Sequence, residues 1–332
     1  MDKINLLVLT DHRTHSDENS IYSLLRELLR NPLCGSIDVA SSGIEDNRLF
    51  FEKMAIKSLY GTAVNPMFAY HDDARFFKKK LRRLALKSYD AVLMRLPYPV
   101  TEGIWEYIES VFNHAVIVNK PTGIEKVGSK AFLLNFPDVC APSKHCTSIA
   151  DIDLFRNEFP IVLKPLKSYG GQGIVKIEGE KAFLAGGPTI AYQDFIETLD
   201  EGAIDYLGVK YMKNVGMGDK RIVVCKGEIL GASLRTPKPG SWMCNVSQGG
   251  SSAGAEADED ERAIVERINP VLTDHGVVFY GIDTLVNDDG KRVLSEINAA
   301  SIGGIIRIEE YSKQPVMKRA GELLWEYFSE NL

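Results

Sequence analysis

Two carboxylates and one amide in the last quarter of the chain have the residue types and spacing of a metal site. They are Asp283 in "GIDTLV" and Glu296 and Asn298 in "LSEIN". Side chains alternate between the faces of a strand, so Glu296 and Asn298 point the same way, and a short turn brings Asp283 alongside. Hard oxygen ligands of this kind suit Mg²⁺. The same residues would also fit the solvent-facing positions of an amphipathic hairpin, and the residues alone leave both interpretations open.

A glycine-rich loop lies between two apolar runs in residues 159–179, "FPIVLKPLKSYGGQGIVKIEG". Its glycines are Gly170, Gly171 and Gly173, and Lys164 stands at the end of the first run. Backbone N–H groups in such a loop can approach phosphate oxygens closely. The loop lacks the Gly-Lys-Ser/Thr ending of a P-loop, and it leads into a strand rather than the helix of a dinucleotide fingerprint. By itself the segment favours an ordinary hairpin turn over a phosphate cover.

Other charged residues are weaker candidates. Asp219, Lys220 and Arg221 precede an apolar strand, where a cation could neutralise an anionic substrate and Asp219 could orient it. Taken alone, the three residues are more typical of a charged turn. Lys130 is an isolated lysine in a helical pattern, a position that is usually solvated.

The polar residues that follow the first apolar run match no standard metal-ligand spacing. A polar loop that lines a substrate site is the better interpretation, because open α/β sheets bind ligands beyond the ends of their strands. These residues are Asp11, His12, His15 and Asp17.

Alternating strand and helix patterns in the first 120 residues predict an open parallel α/β sheet. The predicted strands are 4–10, 91–96 and 115–119. Three helices are predicted: one that begins near residue 16, one at 72–87 and one at 101–113. Short strand pairs follow from residue 160 onward, with hairpins at 220–235 and 279–298 and helices at 258–275 and 314–328. We predict three pieces: an α/β domain at 1–123, a small α+β subdomain at 124–205, and a larger one at 206–332.

Composition narrows the class of protein. The chain has 332 residues, 45% of them hydrophobic, and a net charge of −6, so it has no overall basic footprint for nucleic acid. Its five cysteines form no CxxC pair, which favours a reducing cytoplasm. The opening "MDKINLLVLTDHR" has too short an apolar core for a signal peptide, and no apolar run is long enough to span a membrane.

Taken in order, the motifs resemble those of the ATP-grasp superfamily and, within it, the bacterial glutathione synthetases. The resemblance extends from about residue 90 to 325 and rests on several short segments. They are "LMR" (93–95), "IVNKP" (117–121), Lys130 in a K-x-F context, "VLKPLKSYGGQG", "GDKR" (218–221), "GID" (281–283) and "EIN" (296–298).

This resemblance implies an N-terminal open parallel-sheet domain followed by an ATP-grasp domain of two α+β subdomains, and it gives individual residues a role. Lys130 and Lys164 would contact ATP phosphates, under a cover formed by Ser168, Tyr169, Gly170, Gly171 and Gly173. Asp283, Glu296 and Asn298 would hold Mg²⁺ (or Mn²⁺), and Arg235 would act catalytically with Arg221 and Asp219. The adenine hinge could be 191–197 or 206–212; its position before "GDKR" favours Val209, Lys210, Tyr211 and Met212.

The chain departs from the family in its substrate loops. In "TPKPGSWMCNVSQGGSS" the family's two arginines are replaced by Met243 and Ser251, while Asn245, Gly249 and Gly250 are kept. After "EIN" the family's Ser-Pro-Thr turn is replaced by Ser301, Ile302, Gly303 and Gly304. The machinery for ATP is therefore retained where the substrate-facing residues change.

The implied reaction joins γ-glutamylcysteine to glycine through an acyl phosphate, with ATP and Mg²⁺ as cofactors. One alternative is a ligase of the same fold that adds an amino acid to a different peptide, protein tail or metabolite. A second is a non-catalytic ATP-binding module, against which the full set of metal ligands argues. The expected partners are small-molecule or peptide carboxylates and amines, with no nucleic acid and no membrane. The family resemblance also suggests a homo-oligomer.

Overall fold

The computed structural model describes residues 3–166, 172–238 and 250–332. Several predicted site residues lie outside this part of the chain, namely Ser168, Tyr169, Gly170, Gly171, Asn245 and Gly249. The described residues form three β-sheets with helices packed around them. This mixed α/β architecture, an open sheet with parallel strands followed by two antiparallel sheets, confirms the predicted fold class.

The first sheet has the strand order β4-β3-β2-β1-β5-β6. Strands β1, β2, β5 and β6 run parallel, and β3 and β4 add antiparallel pairs at one edge. The strands are Ile4–Thr10, Cys34–Ser41, Tyr60–Ala63, Arg82–Arg83, Ala91–Arg95 and Val116–Val118 (β1–β6), with helices Ile21–Arg30 (α1), Arg48–Phe51 (α2) and Ile104–Val111 (α3).

The helix predicted at 72–87 is wrong. Two short 3₁₀ turns and strand β4 occupy this segment instead. Ala74 has a φ of 51° and Lys80 a φ of 59°, both in the left-handed region, which a right-handed helix cannot include. Apolar residues of this segment, such as Phe77 and Leu84, are nevertheless buried, although they do not lie along one face of a helix.

The second sheet is antiparallel and has the order β11-β10-β9-β8-β12-β7. Helix Pro121–Gly128 (α4) leads towards it. Its strands are Ser143–Cys146 (β7), Ile161–Pro165 (β8), Val175–Glu178 (β9), Lys181–Leu184 (β10), Thr189–Ala191 (β11) and Tyr206–Lys210 (β12), with helices Ile149–Arg156 (α5) and Tyr192–Glu197 (α6). Because β12 pairs with β7 and β8, we propose that the second subdomain extends past residue 205 and ends within 211–218.

The third sheet, also antiparallel, has the order β15-β14-β13-β16-β17. The predicted hairpin turn at Lys226 and Gly227 is present, and both residues have positive φ (53° and 80°), as a two-residue type I′ turn requires. The strands are Asp219–Cys225 (β13), Glu228–Thr236 (β14), Ser251–Ala255 (β15), Phe279–Val286 (β16) and Arg292–Asn298 (β17), with helices Glu259–Asp274 (α7), Ile305–Ser312 (α8) and Val316–Asn331 (α9).

The core is shared mainly by the first and third sheets, and β12 of the second sheet adds Leu207 and Val209 to it. Residues of the first and third sheets occur together in two large buried clusters, and α9 packs against α1, where the Trp325 indole donates to the Leu28 carbonyl at 3.0 Å. The second sheet buries its own smaller cluster around Phe155, Leu163 and Ile177. It is therefore a separate packing unit set against a larger one.

No helix in the described ranges is long and apolar enough to cross a bilayer.

We expect Gly123→Ala to destabilise the protein. A Cβ at Gly123 would stand 1.9 Å from the His275 carbonyl oxygen, and backbone cannot move aside as a flexible side chain can. Overpacking of this kind typically lowers the free energy of unfolding by about 1–3 kcal/mol. Thermal unfolding measures it. Gly216→Ala is the matched control, because no atom lies within 4 Å of a Cβ placed there, and an equal loss in both variants would contradict the account.

Candidate active site

One face of the third sheet carries the residues that the sequence singled out. Across neighbouring strands, Asp219 stands opposite Arg235, Arg221 opposite Asp283, and Asp283 opposite Glu296. Asp219 and Arg221 are two positions apart on β13, so they share a face. The sheet order thus assembles one charged cluster from two hairpins, β13–β14 and β16–β17, that are separate in sequence.

The cluster is held together by ion pairs in fork geometry. Arg221 donates to both carboxylate oxygens of Asp283, with Nη2 to Oδ2 at 2.8 Å. Arg235 donates to Asp219 from Nε at 2.6 Å and from Nη2 at 2.8 Å. Its Nη2 also lies 3.0 Å from Oδ2 of Asp283, so Arg235 bridges the two carboxylates. Both aspartates are buried, which makes these charge-assisted contacts strong.

The three carboxyl groups of the cluster differ in pKa because their surroundings differ. Burial and the charge of Asp283 raise the pKa of Asp219 to about 6. Burial also acts to raise the pKa of Asp283, but Arg221 and Arg235 outweigh it and hold that pKa below its ordinary value. Burial, together with the charge of Asp283, raises the pKa of Glu296. Asp283 is therefore the most firmly ionised of the three.

Two lysines complete the cluster from outside the sheet. Lys164, on β8, donates from Nζ to the carbonyl of Ser295 at 3.3 Å and to its hydroxyl at 3.2 Å, which links the second sheet to β17. Lys130 lies in the 3₁₀ segment Lys130–Asn135. Burial lowers the pKa of both lysines, and the charge of Glu296 opposes that shift. With two lysines and two arginines against three carboxylates, the cluster has a positive excess suited to phosphate.

The proposed metal ligands fit a Mg²⁺ ion in their chemistry. Asp283 and Glu296 are cross-strand neighbours, and Asn298 donates weakly to Asp283 at 3.4 Å. Glu296 makes no hydrogen bond or ion pair with any described residue, so its carboxylate is available to a cation. Among the residues of the structure described here, no three His, Cys, Asp or Glu side chains are grouped closely enough to hold a metal. The third predicted ligand is the amide oxygen of Asn298, a kind of donor that Mg²⁺ accepts.

The two possible adenine hinges differ in structure. Residues 192–197 form helix α6, whereas Tyr206–Lys210 is the strand β12 inside the second sheet. The backbone N–H groups of Lys210 and Tyr211 donate to the carbonyls of Pro142 and Pro160, each at 2.8 Å. Residues 209–212 therefore lie where the chain passes from the second sheet towards the third.

A cleft of about 150 Å³ opens beside the cluster. Its lining includes Lys130, Glu296, Asn298 and Ser301, together with Pro97 and Tyr98 from the first domain. Of the other predicted loop residues, Gly173 precedes β9, Gly250 precedes β15, and Gly303 and Gly304 lead into α8. Two of the three predicted metal ligands, Glu296 and Asn298, therefore line one cavity together with Lys130 and Ser301, whereas Asp283 is not part of its lining.

Sequence reasoning assigned no role to Asn119, although it lies in the quoted segment "IVNKP". Its Nδ2 donates to the carbonyls of Phe279 at 2.6 Å and Ala299 at 2.7 Å, and its Oδ1 accepts from the N–H groups of Val278 and Phe279 at 2.9 Å. One buried side chain therefore ties β6 to the start of β16 and to the end of β17. A polar residue at the end of an apolar strand run was the only signal available.

Comparison with known proteins shows that the chain is similar to glutathione synthetases. The family model for the prokaryotic glutathione synthetase ATP-grasp domain matches residues 129–313. Glutathione synthetase of Prochlorococcus marinus (strain MIT 9313) is 31% identical over 71% of this chain and 74% of its own length. That of Mesorhizobium japonicum is 30% identical over 69% and 71%, respectively.

Solved structures extend the likeness of the fold to the whole chain. The D-cycloserine synthetase DcsG superposes with a TM-score of 0.67 at 13% identity, covering 98% of this chain and 99% of that one. The D-alanine-D-alanine ligase of Coxiella burnetii gives 0.60 at 10% identity, covering 100% and 96%.

The fold and the site define an ATP-grasp ligase, an ADP-forming enzyme that uses ATP with Mg²⁺. The chain belongs to the prokaryotic glutathione synthetase family of ATP-grasp enzymes. The resemblance predicted from the sequence motifs is confirmed.

Proposed function

We propose that the chain is a glutathione synthetase, which joins γ-glutamylcysteine to glycine and converts ATP to ADP and phosphate. The charged cluster on the third sheet, set beside a cleft that reaches the first domain, is the observation that carries this proposal. Relatives named glutathione synthetase, which match about 70% of the chain, support it.

The reaction has two steps. A carboxylate oxygen of γ-glutamylcysteine attacks the γ-phosphorus of ATP, and ADP leaves, giving an acyl phosphate. The glycine nitrogen then attacks the acyl carbon and forms the C–N bond. The nitrogen of this tetrahedral intermediate loses a proton, and the intermediate collapses to the amide as the C–O bond to phosphate breaks and phosphate leaves. Carboxylate and triphosphate repel each other, so positioning and charge neutralisation are the main contributions of the protein.

Each residue has a place in this scheme. Lys130 and Lys164 contact the phosphates, and residues 209–212 hold the adenine. Arg235, kept in place by Asp219, stabilises the transferred phosphate and the acyl intermediate, while Arg221 fixes Asp283. The ligands Asp283, Glu296 and Asn298 hold Mg²⁺ (or Mn²⁺), which neutralises phosphate charge. The proposed cover over the phosphates consists of Gly173 and of Ser168, Tyr169, Gly170 and Gly171, four residues that lie outside the described ranges.

Phosphate release from ATP, measured with a panel of carboxylate donors and amine acceptors, tests the proposal. We expect release with γ-glutamylcysteine plus glycine, and mass spectrometry of the product should identify glutathione. Each substrate alone serves as the control. If γ-glutamylcysteine plus glycine does not stimulate phosphate release, the protein is not a glutathione synthetase. Stimulation by another pair in the panel would then identify its ligase substrates.

A different donor or acceptor is the second candidate. It is favoured by the loop in which Met243 and Ser251 replace arginines of the family, and by the turn Ser301–Gly304. Loss of cations from a substrate loop changes which anionic groups can be bound. Preference for another peptide or amino acid in the same panel would support this alternative, in a loop that keeps Asn245, Gly249 and Gly250 of the family's sequence.

We also propose a cytoplasmic location, which the cysteines support. All four cysteines in the described ranges are free, as a reducing cytoplasm would keep them. We propose small-molecule substrates, no nucleic acid or membrane partner, and a homo-oligomer, whose mass light scattering would measure.

A further inference from the structure

Arg95, the last residue of β5, is a buried cation without a counter-ion. It is 2% exposed, and its Nη2 donates to two neutral groups, the hydroxyl of Ser20 at 3.1 Å and the carbonyl of Ile302 at 2.9 Å. Its Nε and Nη1 are buried without any hydrogen-bond partner. Burial lowers the pKa of Arg95 to about 10, so it remains charged at neutral pH.

No acidic side chain in the described part of the chain compensates the charge of Arg95. Arg95 forms no ion pair with a residue of the described ranges. Burial, with a smaller contribution from His12 and Arg95, lowers the pKa of the nearby His15 to about 4, so that side chain is neutral at pH 7. A buried guanidinium with unused donors is costly, and such groups are normally paired or hydrogen-bonded. An anion from outside the chain would satisfy both the charge and the donors.

The position of Arg95 in the sheet favours a ligand. The strand order reverses between β1 and β5, and open α/β sheets bind ligands beyond the carboxyl ends of strands at such a point. Ser20, which contacts Arg95, is also the residue that precedes helix α1, whose first-turn N–H groups carry partial positive charge. Two independent sources of positive potential therefore meet there.

The same position adjoins the active site. Pro97 and Tyr98, just after Arg95, line the cleft that contains Lys130 and Glu296. Ser301, just before Ile302, also lines this cleft. Both segments that meet at Arg95 thus form walls of the cleft in which the proposed reaction takes place.

We propose that Arg95 and the amino end of α1 form a subsite for a substrate carboxylate other than the one that is phosphorylated. The proposal rests on the proposed function and deepens it: one substrate must carry a second, non-reacting carboxylate. Entry requires the turn at Ile302 to release Arg95. Gly303 has no atom within 4 Å of an added Cβ, and Gly304 has a φ of 92°, so the turn has room and backbone freedom to move.

Matched substrates test the subsite in the intact enzyme. 4-Aminobutanoylcysteine lacks the carboxylate of γ-glutamylcysteine that is not phosphorylated. Glycinamide lacks the single carboxylate of glycine. For the wild type, we expect one of these two replacements to lower kcat/KM at least tenfold. In Arg95→Met, the same replacement should change kcat/KM less than twofold, because the group that recognises the carboxylate has gone. The KM for ATP should change less than twofold.

Controls separate recognition from folding. Arg82→Met removes another arginine of the first sheet, one that is paired with Asp38 at 2.7 Å, and should leave the discrimination as in the wild type. The unfolding temperature of ligand-free Arg95→Met should not fall, because an uncompensated charge is removed. Unchanged discrimination in Arg95→Met would overturn the proposal. If Arg95→Met does not fold, the ratio of kcat/KM for the two matched substrates is measured in Arg95→Lys instead. An unchanged ratio in that variant would equally overturn the proposal.

A binding measurement keeps this test separate from the proposed function. Malonate should raise the unfolding temperature of the wild type, whereas neutral malonamide should not, and Arg95→Met should lose the malonate effect. This result supports the subsite even where γ-glutamylcysteine and glycine give no turnover. Equal malonate shifts in wild type and Arg95→Met would overturn it.

Discussion

Glu296→Gln is expected to abolish ligation while leaving the ligand-free protein as stable as the wild type, or more stable. The substitution keeps the size of the side chain and removes one negative oxygen from the proposed metal site. Loss of a group that stabilises transition-state charge typically lowers kcat by about 10²–10³-fold, and loss of a metal ligand should reach the upper end of that range. Phosphate release with saturating ATP and Mg²⁺ measures it.

The expected stability follows from the pKa of Glu296. Burial and the charge of Asp283 raise that pKa, so the folded protein binds the proton more tightly than the unfolded chain does. The ionised carboxylate therefore costs free energy at neutral pH, and the cost grows as pH rises through the folded pKa. Glutamine removes this cost, so the unfolding temperature should not fall.

Mg²⁺ and ATP added together should then separate the two proteins. They should raise the unfolding temperature of the wild type much more than that of Glu296→Gln, since binding to the folded state stabilises it. Glu266→Gln, on the exposed side of α7, is the control and should behave as the wild type. Full activity in Glu296→Gln would remove Glu296 from the metal site.

The sequence predicted local features of the site well, since they depend on short-range patterns. The face shared by Glu296 and Asn298 follows from strand periodicity, and the turn at Lys226 and Gly227 from residue type. The adenine hinge stays a prediction: the sequence offered 191–197 and 206–212, which the structure places in helix α6 and strand β12.

The partners of those residues could not be predicted, because they depend on sheet order. Arg221 pairs with Asp283, 62 residues away, only because β13 lies next to β16. Similarly, "LMR" is visible in the sequence, yet the burial of Arg95 depends on Ser20 and on Ile302, 207 residues away. The segment 72–87 failed for a related reason: its apolar residues pack against distant elements rather than along a helix.

Arg235→Met is expected to lower kcat by about 10²–10³-fold with little change in the KM for ATP, because Arg235 is proposed to stabilise charge that develops during phosphoryl transfer. It should also destabilise the protein in a pH-dependent way. Arg235 and Arg221 act to lower the pKa of Asp219, yet burial and Asp283 still raise it to about 6. Without Arg235, the pKa of Asp219 rises further.

A carboxyl whose folded pKa is raised destabilises the folded state when it is ionised, so the loss grows as pH increases through that pKa. Relative to the wild type, Arg235→Met should therefore lose more stability at pH 8 than at pH 6, reaching about 3 kcal/mol for a buried pair deprived of one partner. Unfolding temperatures at the two pH values measure it. Adding Asp219→Asn to Arg235→Met should restore the stability but not kcat.

Arg319→Met provides the contrast for this prediction. Arg319 pairs with Glu228 at 2.7 Å, but both side chains are about two-fifths exposed, so its loss should cost at most about 1 kcal/mol at either pH. A pH-independent loss in Arg235→Met would mean that Asp219 does not carry the effect. Recovery of kcat in the double variant would mean that Arg235 serves only to neutralise Asp219, because a direct contact with the transferred phosphate cannot be restored by removing a carboxylate.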